Sequence, residues 1–429
     1  MGGGLRCAAC GATRGLDEFA PWRCPAESGD RHHVLLLDEE LLLDERDAAI
    51  PADADPFVRH RGRMAWHAFA LAAGLDDGGA VALVRDVDRR LRATSGRGFV
   101  VTPTARSAAL SDALGFSAVG GVWVKDETGN VGGSQKARHL MSILLHLLVA
   151  ERTGRAPWTP IGRPPLAISS CGNAAIAAST LARAVDWPID VFIPEWASGN
   201  VVRTLESLGA RINRCPRRAD DPPGDPTVLR FREAVGAGSI PFSVQGPENA
   251  LCLDGGRTFG WELAESLRDE GIGRVDALFV QVGGGAFAAS VSRGVREGGV
   301  EAPLFAVQTQ GCAPLSRAWA TAADDPEMAA HWTRHMRPWD DEPRSLADGI
   351  LDDETYDWVA DGFELRATRG RVVVTSEDHV VRAAELAPSS TGIDVSPTGA
   401  AGLAGLLECR DELADDAKVV VAFSGVRRD

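Results

Sequence analysis

The sequence predicts an α/β protein of two lobes, each a parallel or mixed sheet flanked by helices, with a small cysteine-rich segment in front. Three observations carry this expectation. Short apolar strands alternate with helical runs from residue 122 onward, the run from Lys418 to Phe423 is apolar without alternation, and Cys7, Cys10 and Cys24 crowd the start. Strand-helix alternation predicts parallel pairing. A continuous apolar strand is what a sheet covered on both faces requires.

The expected organisation is a cysteine-rich segment over 1–37, a helical N-terminal cap over 38–100, and a core of two α/β lobes over 101–429. The smaller lobe is expected at about 125–215 and the larger is the remainder. In the first segment, Cys7-x-x-Cys10, then Cys24-Pro25, then His32-His33 resemble a zinc ribbon short of one cysteine. His33, His32 or Asp30 is available as fourth ligand, and the set Cys7, Cys10, Cys24 and His33 would make a closed structural site. The alternatives are a decayed ribbon that binds nothing and a redox pair at Cys7 and Cys10. No βαβ pattern surrounds that pair.

An acidic stretch over 38–55 reads as a loop, and residues 64–73 and 80–91 have helical periodicity. Then follow strand 122–125, helix 135–152, strand 166–169, helix 174–185, strand 189–193 and helix 199–208. The alternation resumes with helix 256–269, strand 276–282, helix 286–297, strand 303–308, helices 375–387 and 398–413, and strand 418–423. Residues 320–344, rich in Asp, Pro, Trp and His, read as a mobile covering element in which His331 and His335 are solvated. Glu262 reads as part of a solvated helix face, and the Pro222 to Pro226 cluster as a loop.

Size and charge bound the function. A chain of 429 residues with 45% hydrophobic content buries a large core. A net charge of -15 repels nucleic acid and anionic lipid. No apolar stretch approaches the length of a membrane span and the start lacks a signal-peptide core, so a cytoplasmic protein is expected. Five further cysteines are scattered singly, as in a reducing compartment.

Four motifs carry chemistry. Lys136 lies in Ser134-Gln135-Lys136-Ala137-Arg138, and a lysine partly desolvated by a pocket becomes a nucleophile near neutral pH. Gly283, Gly284 and Gly285 followed by Ala286 lie between an apolar strand and a small-residue helix, gathering N–H donors at an anion site. A tight strand-to-helix turn needs such glycines without any ligand too. Ser169, Ser170, Cys171, Gly172 and Asn173 open an alanine-rich helix whose N-terminus suits a substrate carboxylate; Asn173 either caps that helix or sets its amide against a cofactor ring oxygen. Ser424 ends the final strand, where ligands of open α/β sheets gather. Together the four read as a pyridoxal phosphate site.

The order of these motifs resembles the fold type II pyridoxal phosphate enzymes, the group of threonine synthase, serine and threonine dehydratases, cysteine synthase and the tryptophan synthase β subunit. The resemblance covers roughly residues 100–429 and includes Thr102-Pro103, Ser134-x-Lys136-x-Arg138, Gly172-Asn173, Leu208-Gly209-Ala210, the glycine turn, Ala347-Asp348-Gly349-Ile350 and Thr398-Gly399-Ala400-Ala401. It implies Lys136 as imine-forming lysine and general base, Asn173 at the ring hydroxyl, Gly283 to Ala286 at the phosphate, and Ser424 at the ring nitrogen. Ser170, Cys171 and Gly172 would hold the substrate carboxylate. Gln135 stands where the family usually has an aromatic, and Cys171 where it usually has serine or threonine.

The expected activity is elimination of water from a β-hydroxy amino acid such as threonine or serine, by a homodimer. The alternatives are a threonine synthase, a β-replacement synthase of amino-acid or specialised metabolism, and a catalytically silent scaffold.

Overall fold

Three sheets organise the chain, of which the computed structural model describes residues 4–27, 32–38, 50–222 and 224–428. The largest has six strands in the order Arg371–Thr375, Leu304–Thr309, Ala277–Gln281, Lys418–Phe423, Gly121–Asp126 and Thr104–Ser107. All its pairs are parallel except the last, which is antiparallel. The second sheet is parallel throughout, in the order Arg211–Arg214, Ile189–Ile193, Leu166–Ser169 and Ile240–Pro241. The third is a small antiparallel sheet at the N-terminus, with Gly4–Cys7 between Thr13–Gly15 and Leu35–Leu37.

Central strands are apolar because helices cover both of their faces. Ala277–Gln281 and Lys418–Phe423 are buried at every position but the first of the latter. The helices Leu251–Asp269 and Ala286–Glu297 close on one another through glycine: a Cβ on Gly294 would lie 3.0 Å from the Cα of Gly260. Small residues at that crossing let the two helix backbones approach closely. Helix Lys136–Arg152 is buried from Ala137 to Ala150, with Arg138, His139, Ser142 and His146 among its apolar residues. It packs on helices Ala65–Ala72, Asn173–Ala184 and Leu251–Asp269, so the first residue of this helix is set in the middle of the molecule.

Several expectations change in tertiary context. Strand 122–125 pairs with Lys418–Phe423 in the larger sheet, while Ile240–Pro241 joins the smaller one. Helix Trp358–Thr368 and strand Arg371–Thr375, between the segment 320–344 and the expected helix 375–387, went unrecognised. Helix Pro226–Gly236 starts at the last residue of the proline cluster, with Asp225 accepting the Thr227 N–H at 2.8 Å and Pro226 in its first turn. The stretch 320–344 is no loose cover: Met328, Trp332 and Met336 are in the core, and His335 is buried rather than solvated. Glu262 is fully buried, with no solvated face. Most of the acidic stretch over 38–55 lies outside the described residues. Among the described residues no helix is long and apolar enough to cross a membrane.

Candidate active site

A short ladder between distant segments builds the site. The turn before Lys136 has left-handed glycines, Gly132 at φ +66° and Gly133 at φ +69°. A Cβ on Gly132 would press on Ala177 at 3.3 Å and one on Gly133 on Val426 at 2.7 Å, so this turn fits only as glycine. The chain then pairs with the end of the final strand: Gln135 N–H donates to Ser424 O at 2.9 Å and Val426 N–H to Gly133 O at 2.8 Å. Lys136 and Ser424 are held together by these bonds. Asn173, first residue of helix Asn173–Ala184, lies against the same ladder, where a Cβ on Gly425 would be 3.2 Å from its Nδ2.

Lys136 is the lysine with imine chemistry open to it. The sequence has three lysines. Lys125 is buried, with its Nζ bonded to Glu262 Oε2 and Thr102 O, both at 2.6 Å. Lys418 begins the strand that Ser424 follows, roughly 20 Å away at the rise of a strand. Burial pulls the Lys136 amine below the ordinary lysine value, opposed by the charges of Asp352, Cys252 and Asp357. A desolvated amine beside protonatable carboxyls is a usable nucleophile and base.

Ser424 and Asn173 are both oriented by residues that sequence reasoning missed. Gln281 Nε2 donates to Ser424 Oγ at 2.6 Å and to Gly399 O at 2.9 Å. Since the hydroxyl oxygen accepts there, its own proton remains available to a ligand. Arg428 Nε donates to Asn173 Oδ1 at 2.8 Å, so the amide nitrogen is turned toward Gly425. The signal for Gln281 was a lone polar residue inside an apolar strand, and a buried amide there needs a partner.

The Gly283 turn runs from the strand Ala277–Gln281 into helix Ala286–Glu297, with Gly285 at φ +97°. The segment after Ile350 packs over it. A Cβ on Gly283 would meet Asp352 Oδ2 at 2.5 Å, one on Gly284 would meet Tyr356 at 3.3 Å, and Asp357 N–H donates to Gly284 O at 2.7 Å. Burial pushes Asp352 up to about 6 and Asp357 up to about 7, and drives Asp361 far above the carboxylate range. This acidic cover was also missed, because the run Asp352-Asp353-Glu354 reads as solvent-facing.

In the turn expected to hold the substrate carboxylate, Ser169 Oγ is 2.7 Å from Thr227 Oγ1, and the Ser170 hydroxyl accepts from Gly172 N–H at 3.3 Å. Ser170 N–H continues the sheet to Phe192 O at 3.2 Å. The half-buried Cys171 thiol is pushed up by burial, then by Asp225. Immediately before Lys136, the buried Ser134 Oγ and Gln135 Oε1 have no protein partner. Buried polar atoms of this kind call for a polar ligand. A desolvated lysine, a donor hydroxyl, an oriented amide and a glycine turn at a helix N-terminus fit pyridoxal phosphate.

At the N-terminus, Cys7, Cys10, Cys24 and His33 bring one ligand atom each within 4.8 Å of one another. Cys7 Sγ is 3.5 Å from His33 Nδ1 and Cys10 Sγ is 3.5 Å from Cys24 Sγ. His32 is turned away and stacks on Trp332 at 5.0 Å, while Asp30 lies outside the described residues. Donors of three thiols and one imidazole at this spacing suit tetrahedral zinc.

Comparison with known proteins agrees with this chemistry. The family model described as pyridoxal-phosphate dependent enzyme matches residues 97–425. A serine dehydratase-like protein of Rattus norvegicus is 31% identical over 212 residues, which are 49% of this chain and 57% of that protein. The chain thus spans little more than half the length of that relative. An L-threo-3-hydroxyaspartate ammonia-lyase of Saccharomyces cerevisiae is 24% identical over 330 residues, 76% of this chain and 87% of its own. Among solved structures, maize serine racemase superposes with a TM-score of 0.61 at 17% identity, over 81% of this chain and 94% of that one. A threonine deaminase from T.th. gives 0.61 at 21% identity, over 80% and 98%. These structural likenesses show the fold.

Proposed function

The chain belongs to the pyridoxal-phosphate dependent enzymes, and from that premise we propose that it is a lyase removing water from a small β-hydroxy amino acid such as serine or threonine. The cofactor would be held by Lys136, Asn173, Ser424 and the turn Gly283, Gly284, Gly285 and Ala286. When bound, it supplies an electron sink that acidifies the substrate α-proton. Lys136 Nζ, whose proton affinity burial lowers, would take that proton. The turn from Ser169 to Asn173 would hold the substrate carboxylate at a helix N-terminus, through its side chains and the N–H groups that are not already bonded to Phe192 O and the Ser170 hydroxyl. Burial raises the carboxyls of Asp352 and Asp357 to about 6 and about 7, which lowers their repulsion of a phosphate at the glycine turn.

One observation carries the choice of elimination: Ser424 Oγ accepts from Gln281 and keeps a proton to donate. A ring nitrogen that accepts from a hydroxyl stays unprotonated and is a weaker sink than one paired to a carboxylate, which favours loss of a β-substituent over transamination. The test is to supply serine, threonine and O-phosphohomoserine separately while following 2-oxo acid and phosphate. We expect 2-oxo acid from serine or threonine. Phosphate release from O-phosphohomoserine would assign the chain to threonine synthase chemistry instead.

We further propose that Cys7, Cys10, Cys24 and His33 hold a structural zinc, and that the enzyme is a cytoplasmic homodimer. All eight cysteines are free thiols, which suits a reducing compartment. Metal analysis of wild type against Cys7→Ser is expected to show one equivalent of zinc lost and a lower melting midpoint. Equal metal content in both proteins would remove this site.

A further inference from the structure

Outside both sites, a second set of metal-ligand side chains converges in the excursion after helix Pro314–Ala322. Asp325, His331 and His335 each present one ligand atom, all within 4.8 Å of one another. His331 Nδ1 is 2.7 Å and His335 Nε2 is 2.9 Å from the same carboxylate oxygen, Asp325 Oδ2. We propose that Asp325, His331 and His335 bind a divalent transition-metal ion of the zinc type, completed by water, that fastens this excursion to the larger lobe.

The set is rigid before any ion arrives. Asp325 Oδ1 accepts the Glu327 N–H at 2.9 Å, which aims Oδ2 at the two imidazoles. His335 is buried, and its Nδ1 is 2.9 Å from Thr321 Oγ1, the outer partner that fixes a ligand ring and sets which nitrogen faces the metal. The His335 ring packs on Trp358 at 5.9 Å, and Met328 and Trp332 anchor the intervening turn in the core. Ligand atoms about 2.0–2.2 Å from a tetrahedral ion stand roughly 3.3 Å apart, so the present contacts need open by only about half an ångström. His331 is half exposed and leaves an entry path.

Two cations face the cluster and temper affinity. Arg334 Nη1 is 3.9 Å from Asp325 Oδ2 on a mostly exposed side chain that swings clear at little cost, and Arg366 Nη2 donates to the Asp325 backbone carbonyl at 2.5 Å. Binding requires each coordinating ring nitrogen to be free of its proton, which passes to solvent or to the other nitrogen.

The site lies beside the N-terminal cysteine cluster, across the stacked rings of His32 and Trp332, and the two differ in donor chemistry. Cobalt separates them. The full chain, stripped with a chelator, is titrated with Co²⁺ and with Zn²⁺. Apart from any cobalt on the cysteines, wild type is expected to take up one equivalent with weak visible bands and none of the strong near-ultraviolet absorption of cobalt–thiolate. In His331→Ala that equivalent should bind at least about 100-fold more weakly, since even loss of an outer partner costs 10–100-fold. Asp325→Ala, whose side chain is 12% exposed, should behave alike, and far-ultraviolet dichroism of both metal-free variants should match wild type. Equal uptake and affinity in wild type and both variants, or a wild type whose bound cobalt is all thiolate-type, would overturn the proposal and leave a hydrogen-bonded triad.

Discussion

Lys136→Ala is expected to abolish the violet absorption of the cofactor-loaded protein and to lower turnover by on the order of 10³-fold or more, because one residue supplies both the imine and the base. The same substitution should leave the melting midpoint of the cofactor-free protein unchanged or higher. The Lys136 amine is desolvated and has no hydrogen bond or ion pair among the described contacts, so removing it relieves a cost of folding. The pair of readouts separates a catalytic lysine from a structural one. If the colour survives in Lys136→Ala, or borohydride fixes the cofactor to Lys125 or Lys418, the assignment fails.

The largest stability effect is expected two residues away. Arg138 is buried and bonds both carboxylates around it: Glu127 Oε2 at 2.9 Å and Oε1 at 2.8 Å, and Glu262 Oε1 at 2.6 Å and Oε2 at 3.0 Å. Lys125 adds a second cation to Glu262 at 2.6 Å, so two buried cations balance two buried anions. Asn130 Nδ2 and Thr102 Oγ1 donate to the remaining Glu127 positions. Burial would raise Glu262, but the charges of Arg138 and Lys125 outweigh it and hold the carboxyl down at about 2.

Arg138→Met leaves Glu127 without its cation and Glu262 with one, an uncompensated buried charge that costs about 3–5 kcal/mol. The urea midpoint should fall by a corresponding amount with the slope unchanged. Glu262→Gln, which keeps shape and several hydrogen bonds, should cost less and leave a net positive pocket. A loss below about 1 kcal/mol in Arg138→Met would mean that water enters and screens the network. Since the network spans Thr102, Lys125, Glu127, Asn130 and Arg138, it clamps the loop that delivers Lys136. Cofactor affinity should drop with stability in Arg138→Met, and less in Glu262→Gln.

Local patterns were read well where one period dominates. Helix Lys136–Arg152, strand Leu166–Ser169, helix Ala286–Glu297 and strand Lys418–Phe423 appear within a residue of their expected spans, because long apolar runs between clear turns have one packing solution. Arg371–Thr375 was lost because three valines between polar ends look the same in a loop and at a sheet edge. Glu262 was misread for a related reason: a carboxylate on an amphipathic helix normally faces water, and its burial depends on Lys125 and Arg138, both more than 120 residues away in sequence.

By itself the sequence determined the alternation of strands and helices, the chemical types available, a lysine, a glycine turn, a terminal serine and three clustered cysteines, and their order, since these depend on short-range period and residue identity. Only tertiary structure decided what each group does electrostatically. Which lysine is desolvated and which is ion-paired, that Gln281 leaves the Ser424 proton available, that Arg428 turns the Asn173 amide, and that an acidic segment covers the glycine turn all follow from contacts between residues distant in sequence. The reason is physical: charge and proton affinity respond to neighbours within a few ångströms, and the chain reveals those neighbours only once it is folded.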